Sequence, residues 1–334
     1  MQEVVKLDHL NAVAGDALSK LGLDNTERDI VRRVLMYAEL RGSSQGLIKI
    51  KEQTILPDKN CTELSIENKT SSIARINGGG HTGMYVLHRA ATIAADLVQA
   101  SGIALVSTHN TRSSTGSIGF YASQLGASGY IALVLAGSPK VMAMEGGIDP
   151  VFGTNPVAIA IPTNSEPLVL DMATAATTWF AVINARDNEQ LLPAGTAFDA
   201  TGNPTVHPTE AMKGALRTFG GAKGSGLALM FEFLTSVLGD ASLHGDLPDN
   251  RSNTVIAIDP AVIDSGFKNR ASDLIDRLKA TRSVDPENAA STIRLPGEQS
   301  TARARKCVEE NEIEIDSALY QHLLSLAQPP NSVA

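Results

Sequence analysis

The sequence has few cysteines, few aromatic residues and no long hydrophobic run. Its 334 residues include two cysteines, Cys61 and Cys307, and 4% are aromatic. Two cysteines so far apart form neither a disulfide framework nor a zinc motif. Because they are few and no secretory signal is recognised, we expect a cytoplasmic protein. The longest apolar runs, such as residues 131–135, are too short to span a bilayer, so we expect no membrane partner.

Positive charge is also scarce. Lys and Arg number 28 against 36 Asp and Glu, which gives a net charge of −8. The densest basic stretch, at residues 303–306, is followed closely by Glu309 and Glu310, so we expect no nucleic acid partner. The seven histidines show no metal-ligand spacing, so we expect no bound metal. A small anionic ligand stays compatible with this composition, because a few well-placed cations decide such binding.

What is present is an alternation of strands and helices. Hydrophobic periodicity predicts two N-terminal helices, over residues 7–21 and from Asn25 or Thr26 to Gly42. Short apolar runs predict strands at 71–76, 103–107, 130–135, 157–161, 168–172 and 253–258. Helical periodicity predicts helices at 84–100, 120–125, 211–216, 224–238, 263–280 and 316–327. The pattern indicates an α/β or mixed α+β fold.

Two glycine-rich runs are candidate phosphate sites. Residues 78–83 read GGGHTG and match G-x-G-x-x-G, but the next predicted strand is followed by Thr108, His109 and Asn110 where a dinucleotide fold needs an acid. We therefore interpret this run as a turn. Residues 220–226 read GGAKGSG, in which successive N–H groups and Lys223 could hold an anion, although a tight entry to a buried helix has the same composition.

Six blocks in order resemble the malate/L-lactate dehydrogenase family, which lacks a Rossmann fold. That family includes ureidoglycolate and sulfolactate dehydrogenases and reductases of piperideine- or pyrroline-2-carboxylate. The blocks are ELRG at 39–42 with Gly46, GTNP at 153–156, LDMAT at 170–174, LPAG at 192–195 with Asp199 and GNPT at 202–205, GGAKGSG at 220–226, and LPGE at 295–298.

The resemblance implies a non-Rossmann NAD(P)-binding domain on a mixed β-sheet, beside a helical domain formed from both termini. It places the sheet domain at about 71–259 and the helical, dimerising domain at 1–70 plus 260–334. It also implies a homodimer that binds NAD(P)H, with NAD and NADP unresolved. The cofactor contacts fall on Leu170, Asp171, Met172, Ala173, Thr174, Ala175, Ala176, Ala222, Lys223, Gly297, Glu298 and Gln299.

The sequence departs from the family at the proton donor. Where the family has Ser-His-Gly followed by Arg, this chain has Ser44, Gln45, Gly46 and then Lys49. A second family histidine is replaced by Ser114. Gln has no proton to give, whereas Lys49 can still pair with a carboxylate as a point charge. We therefore expect Gln45, Ser44 and Ser114 in the catalytic site, and Lys49, Tyr121 and Asp199 at the substrate.

Three functions follow from this pattern. The first is oxidation or reduction of a 2-hydroxy or 2-oxo acid, with Ser44, Ser114, Tyr121, His109 or a water supplying the proton. The second is reduction of a cyclic imine that carries a carboxylate, since a protonated imine already holds its proton. The third is a degenerate member that binds a dinucleotide or a partner without turnover.

Overall fold

The computed structural model describes residues 2–241, 250–285 and 293–328, and it has a mixed α/β architecture. The strands are β1 Gln2–Lys6, β2 Ser65–Asn68, β3 Ile73–Asn77, β4 Ile103–His109, β5 Ile131–Ala136, β6 Met142–Ala143, β7 Pro150–Phe152, β8 Val157–Ile161, β9 Leu168–Met172, β10 Ala197–Phe198, β11 Pro204–Thr205, β12 Ala215–Leu216, β13 Asn253–Ile258 and β14 Glu312–Asp316. The helices are α1 Leu7–Lys20, α2 Asn25–Leu40, α3 Ile48–Lys51, α4 Gly83–Ser101, α5 Gly119–Ala127, α6 Trp179–Asp187, α7 Pro208–Ala211, α8 Ala222–Glu232, α9 Pro260–Ile263, α10 Phe267–Lys279, α11 Glu298–Glu310 and α12 Ser317–Ala327.

A seven-stranded mixed sheet forms the centre, in the order β2-β3-β4-β13-β5-β8-β9. Only β3 and β4 run parallel, and the other neighbours are antiparallel. Strand β9 lies at one edge, so its C-terminal end and the loop after it are accessible from the side. A smaller sheet, β11-β10-β12-β6-β7, lies beyond that loop and has its own apolar cluster.

The two ends of the chain meet. Strand β1 pairs antiparallel with β14, from Gln2 opposite Asp316 to Lys6 opposite Glu312. Helices α1 and α12 pack together beside this pair. The expected fold class, a mixed sheet beside a helical unit built from both termini, is confirmed.

The expected domain boundaries stay a prediction, but several contacts cross them. Strand β2 precedes residue 71 and still belongs to the central sheet. The largest apolar cluster joins Leu10 and Val34 of the first two helices to Met84 and Val106 of the sheet unit. On helix α10, Ser272 receives a hydrogen bond from the backbone N–H of Asn164, in the turn between β8 and β9.

Five of the twelve helices named above, α2, α4, α6, α9 and α12, begin with a side-chain cap, and the structure corrects two of the sequence-based expectations. Helix α2 is capped by Asp24, whose carboxylate accepts the N–H of Thr26 and Glu27, and not by the expected Asn25 or Thr26. The predicted helix at 211–216 is wrong: α7 ends at Ala211, and Ala215–Leu216 is strand β12. Within the described residues, no helix is long and apolar enough to cross a membrane.

Candidate active site

A cavity of about 400 Å³ lies beside the end of edge strand β9. Its lining comes from five chain segments that are distant in sequence: the turn and helix at 43–54, the loop at 114–118, the loop at 136–141, Thr154 and Pro156 of the GTNP block, and residues 171–180. Arg251, just before β13, completes the lining. Three of its side chains are ionisable, Lys49, Asp171 and Arg251.

The turn that carries Gln45 is fixed by a buried acid. The Glu39 carboxylate accepts the backbone N–H of Leu47 at 2.8 Å. A Cβ at position 46 would stand 2.0 Å from Glu39 Oε2, so only glycine fits there. This pair explains why the ELRG block and Gly46 occur together in the sequence. It also sets Gln45 and Lys49 on the cavity side of the turn.

Lys49 is the unusual group in the cavity wall. The residue is fully buried, and its Nζ has no hydrogen-bond partner among the residues that the structure describes. The nitrogen lies 3.4 Å from the centre of the Phe180 ring. Burial, and secondly the positive charge of Arg251, hold the pKa of Lys49 well below its usual range.

Arg251 supplies the permanent positive charge of the cavity. Its guanidinium donates a hydrogen bond to the backbone oxygen of Ser113, which steadies the side chain. Its backbone pairs with Thr111. Because an Arg side chain stays protonated at any working pH, Arg251 is better suited than Lys49 to hold a carboxylate. The sequence analysis missed this residue, and the signal available was a single cation immediately before a buried strand.

The loop at 114–118 and strand β9 are joined through Asp171. Its Oδ2 accepts the Ser117 hydroxyl at 2.6 Å and the Gly119 N–H at 2.9 Å. Although the residue is accessible from the cavity, surrounding protein raises the pKa of Asp171 by desolvation, and those two hydrogen bonds oppose the rise. This carboxylate is therefore held in place and partly satisfied.

The predicted catalytic residues divide between two cavities. Gln45 and Ser114 line the main cavity. The backbone N–H of Ser114 donates to the backbone oxygen of Thr54 at 2.9 Å. Thr54 also lines the cavity, and its buried hydroxyl has no hydrogen-bond partner among the described residues. Ser44 lines a neighbouring cavity instead, with its hydroxyl 2.9 Å from that of Thr178.

Three other predicted residues lie outside the main cavity lining. Tyr121 is fully buried in the core, and its hydroxyl donates to the backbone oxygen of Thr115 at 2.8 Å. Asp199 holds the turn between β10 and β11 by accepting hydrogen bonds from Thr201 and Asn203. His109 ends β4, and burial lowers its pKa. The structure therefore offers no direct substrate contact for these three side chains.

The three predicted cofactor segments are brought together. The segment from Leu170 to Ala176 pairs with residues 217–219: Ala176 N–H bonds to Arg217 O at 2.8 Å, and Phe219 N–H bonds to Thr174 O at 3.0 Å. That pairing positions the start of α8, where Ala222 and Lys223 are exposed.

The third segment docks on the other side of β9. A Cβ on Gly297 would lie 2.4 Å from the Val169 oxygen, so the glycine permits the approach. Glu298 and Gln299 follow as the exposed first turn of α11. Lys223 offers a cation for the phosphates of a dinucleotide, whereas the backbone N–H groups of Thr174 and Ala176 already donate within the protein.

The glycine run at 78–83 has no free donors for a phosphate. The six N–H groups from Gly78 to Gly83 all donate within the protein, for example Gly80 to Asn110 O at 2.9 Å and Thr82 to Glu27 Oε1 at 2.7 Å. The turn and its entry into α4 match the interpretation made from the sequence.

Comparison with known proteins agrees with this architecture. The family model described as malate/L-lactate dehydrogenase matches residues 5–324. The chain belongs to this family. The prediction of a dehydrogenase-like oxidoreductase is thereby confirmed.

Individual relatives cover nearly the whole chain. It is 30% identical over 331 residues to the L-sulfolactate dehydrogenase of Methanothermobacter thermautotrophicus, covering 94% of this chain and 93% of that protein. It is 28% identical to the ureidoglycolate dehydrogenase (NAD(+)) of Escherichia coli, with 96% and 95% covered. The crystal structure of a dehydrogenase from Sinorhizobium meliloti superposes with a TM-score of 0.88 at 27% identity, covering 98% of this chain and 99% of that one.

Proposed function

We propose that this enzyme transfers a hydride between a nicotinamide dinucleotide and a small 2-oxo or 2-hydroxy acid. One observation carries the proposal: the Arg251 cation and the Asp171–Ala173 end of the predicted cofactor segment line the same cavity. A cation there holds a 2-carboxylate and so orients the neighbouring carbonyl carbon.

NAD(P) is the cofactor predicted from the family, and the family relationship supports it. When bound, it supplies or accepts the hydride. The protein would hold it through the segment from Leu170 to Ala176, the α8 start with Lys223, and the first turn of α11. The choice between NAD and NADP stays open.

Gln45 replaces the usual family histidine, and it has a role that needs no proton of its own. Its half-buried side chain makes no hydrogen bond within the described residues, so its amide is available to a ligand in the cavity. A donated amide hydrogen bond would stabilise negative charge on the substrate oxygen during hydride transfer.

The substrate class is tested by following NADH and NADPH oxidation with a panel of 2-oxo acids and cyclic imine 2-carboxylates. The expected result is turnover of 2-oxo acids, with little turnover of the matching ketones that lack the carboxylate. Turnover of cyclic imines alone would show the imine reductase alternative. Binding of a dinucleotide without any oxidation would show the degenerate, non-catalytic alternative.

We further propose that the working form is a homodimer in the cytoplasm. The segment formed by α8 and the π-helical turn Phe233–Val237 exposes a row of large apolar side chains: Leu227, Met230, Phe233, Leu234, Val237 and Leu238, each 42–51% exposed. An apolar row of this length is typical of a protein interface. Cys61 and Cys307 are both free thiols, as a reducing compartment would keep them.

A further inference from the structure

The Lys49 amine is placed as a proton carrier and not as a fixed charge. Its Nζ is buried without a hydrogen-bond partner and lies against the face of Phe180. A buried ammonium normally needs hydrogen-bond acceptors, and none surrounds this one in the described structure. The face of Phe180 would attract an ammonium more strongly than a neutral amine, so the ring offsets part of the desolvation that favours the neutral form.

Lys49 also belongs to the wall of the cavity in which a substrate would react, although its amine has no exposed surface in this structure. Lys49 follows Gln45 by four residues, and both line the cavity. Gln45 occupies the position of the family's histidine, so the carbonyl oxygen is expected beside it. A second buried group without a partner, the Thr54 hydroxyl, lines the same wall.

The other ionisable groups around the cavity are less suited to proton transfer. Arg251 does not give up its proton, and it is the charged group that acts on Lys49. Asp171 is occupied by Ser117 and Gly119.

The helices that pack near α3 carry titratable groups of their own. On α6, which packs beside α3, Arg186 and Asp187 pair with Glu52 and Lys51. Helix α12, which also contacts α3, contributes Tyr320 and His322 as its titratable groups.

We propose that Lys49 exchanges the proton with the substrate oxygen, while Arg251 holds the carboxylate. This proposal rests on the function proposed above. In reduction, a hydride from NAD(P)H adds to the carbonyl carbon, the C=O π electrons move to oxygen, and the Lys49 ammonium gives that oxygen a proton. The products are the 2-hydroxy acid, NAD(P)⁺ and a neutral amine, which takes its next proton from water. Oxidation runs the same steps backwards, with the neutral amine as base.

The pH dependence of kcat then has opposite signs for reduction and for oxidation. Burial and the charge of Arg251 lower the pKa of Lys49, so the ammonium is lost well below the pH at which ordinary lysines titrate. We expect kcat for reduction to fall as pH rises through that value, and kcat for oxidation to rise over the same interval.

Three variants separate proton transfer from carboxylate binding. Lys49→Met should lower kcat for a 2-oxo acid by about 10²–10⁴-fold and remove the pH dependence. Lys49→Arg keeps a cation but cannot release a proton. Its kcat should therefore be as low as that of Lys49→Met, while its KM should stay near the wild-type value. The matched control is Lys51→Met on the same short helix; Lys51 pairs with Asp187 away from the cavity, and its loss should leave the pH profile unchanged.

A measurement without turnover tests the amine directly. In protein labelled with ¹³C at lysine Cε, the NMR signal of Lys49 is identified as the one that disappears in Lys49→Met. That signal should titrate at a much lower pH than the signals of the other lysines. Titration together with them would overturn the inference.

The kinetic outcomes also decide between explanations. If Lys49→Arg restores kcat, or if Lys49→Met raises only KM, Lys49 is a carboxylate ligand and the inference is wrong, although the proposed function stands. If Asp171→Asn abolishes the pH dependence and Lys49→Met does not, Asp171 carries the proton instead. If wild-type protein oxidises neither NADH nor NADPH with any 2-oxo acid, the proposed function fails, whatever the NMR titration shows.

Discussion

At the scale of single residues, the substrate's charge is expected to rest on Arg251. Arg251→Met should raise KM for a 2-oxo acid by about ten- to a hundredfold, because a hydrogen bond to a charged group contributes about 1.5–3 kcal/mol. The fall in kcat should be smaller, since the bond is present before and during hydride transfer. The measurement is steady-state kinetics of Arg251→Met and of a control variant, Arg217→Met, which removes a cation that lies over the Phe198 ring. Equal KM in both variants and wild type would remove Arg251 from the substrate site.

Gln45 offers a second test at this scale. Gln45→Ala should lower turnover by roughly tenfold, the loss of one hydrogen bond. In the Lys49→Met background, Gln45→His should recover ketone reduction, because an imidazole titrates near neutral pH and can donate the missing proton. The readout is kcat against pH for both proteins. A Gln45→Ala enzyme identical to wild type would show that the amide does not meet the substrate.

At the scale of elements, the turn between α2 and α3 depends on the buried carboxyl of Glu39. Burial raises the pKa of Glu39, while the Leu47 N–H and Arg303 oppose the rise. A carboxyl with a raised folded pKa favours the folded state most at acid pH, and that contribution is lost as pH rises through the folded pKa. Glu39→Gln keeps an acceptor for the Leu47 N–H without the charge. Urea unfolding should therefore show wild type losing stability relative to Glu39→Gln as pH rises above about 4, the ordinary pKa of a glutamate.

The control for that experiment is Glu309→Gln, an exposed position on α11. This variant removes one surface carboxylate and leaves the turn intact, so a pH effect seen with Glu39→Gln beyond the one seen here belongs to the turn. A difference between wild type and Glu39→Gln that stays constant with pH would show that Glu39 has the same pKa in the folded and unfolded states.

The elements differ in how well the sequence predicts them. Strands β8, β9 and β13 have the predicted bounds, because each contains an uninterrupted apolar run of at least three residues, and this holds even for the edge strand β9. The strands of the smaller sheet are two or three residues long and have no period to detect. Tertiary contacts decide there: a Cβ on Gly214 would meet Asp199 O at 2.4 Å, so the chain after α7 lies flat against β10 and becomes β12.

The same distinction holds for the site. Gln45, Ser114 and Lys49 could be found because they replace recognisable residues in ordered blocks, and all three line the cavity. Arg251 belongs to no block. It reaches the cavity only because the strand after it, β13, pairs between β4 and β5, and sequence periodicity does not reveal that neighbour relation.

At the scale of the whole molecule, we expect the apolar row on α8 and the π-helical turn to be covered by a second copy. Phe233→Glu should shift the protein from dimer to monomer, measured by light scattering after size exclusion. Val308→Glu, on an equally exposed residue of α11, is the control and should remain dimeric. Cofactor affinity should also weaken in the Phe233 variant, because Lys223 lies on the same helix. A monomeric wild-type protein at micromolar concentration would contradict the proposed homodimer.

The pairing of β1 with β14 has a consequence for synthesis in the cell. Gln2 is synthesised well before its partner Asp316, because more than 300 residues separate the two in the chain. At about 5–20 residues per second, the first strand waits roughly 15–60 seconds for its partner. During that interval, α1 lacks the cover of α12 and α2 lacks the cover of α11, so both expose apolar surface that chaperones recognise. The N-terminal unit of this nascent chain is therefore expected to complete its fold only after β14 has been synthesised, and translation speed should affect the yield of folded protein.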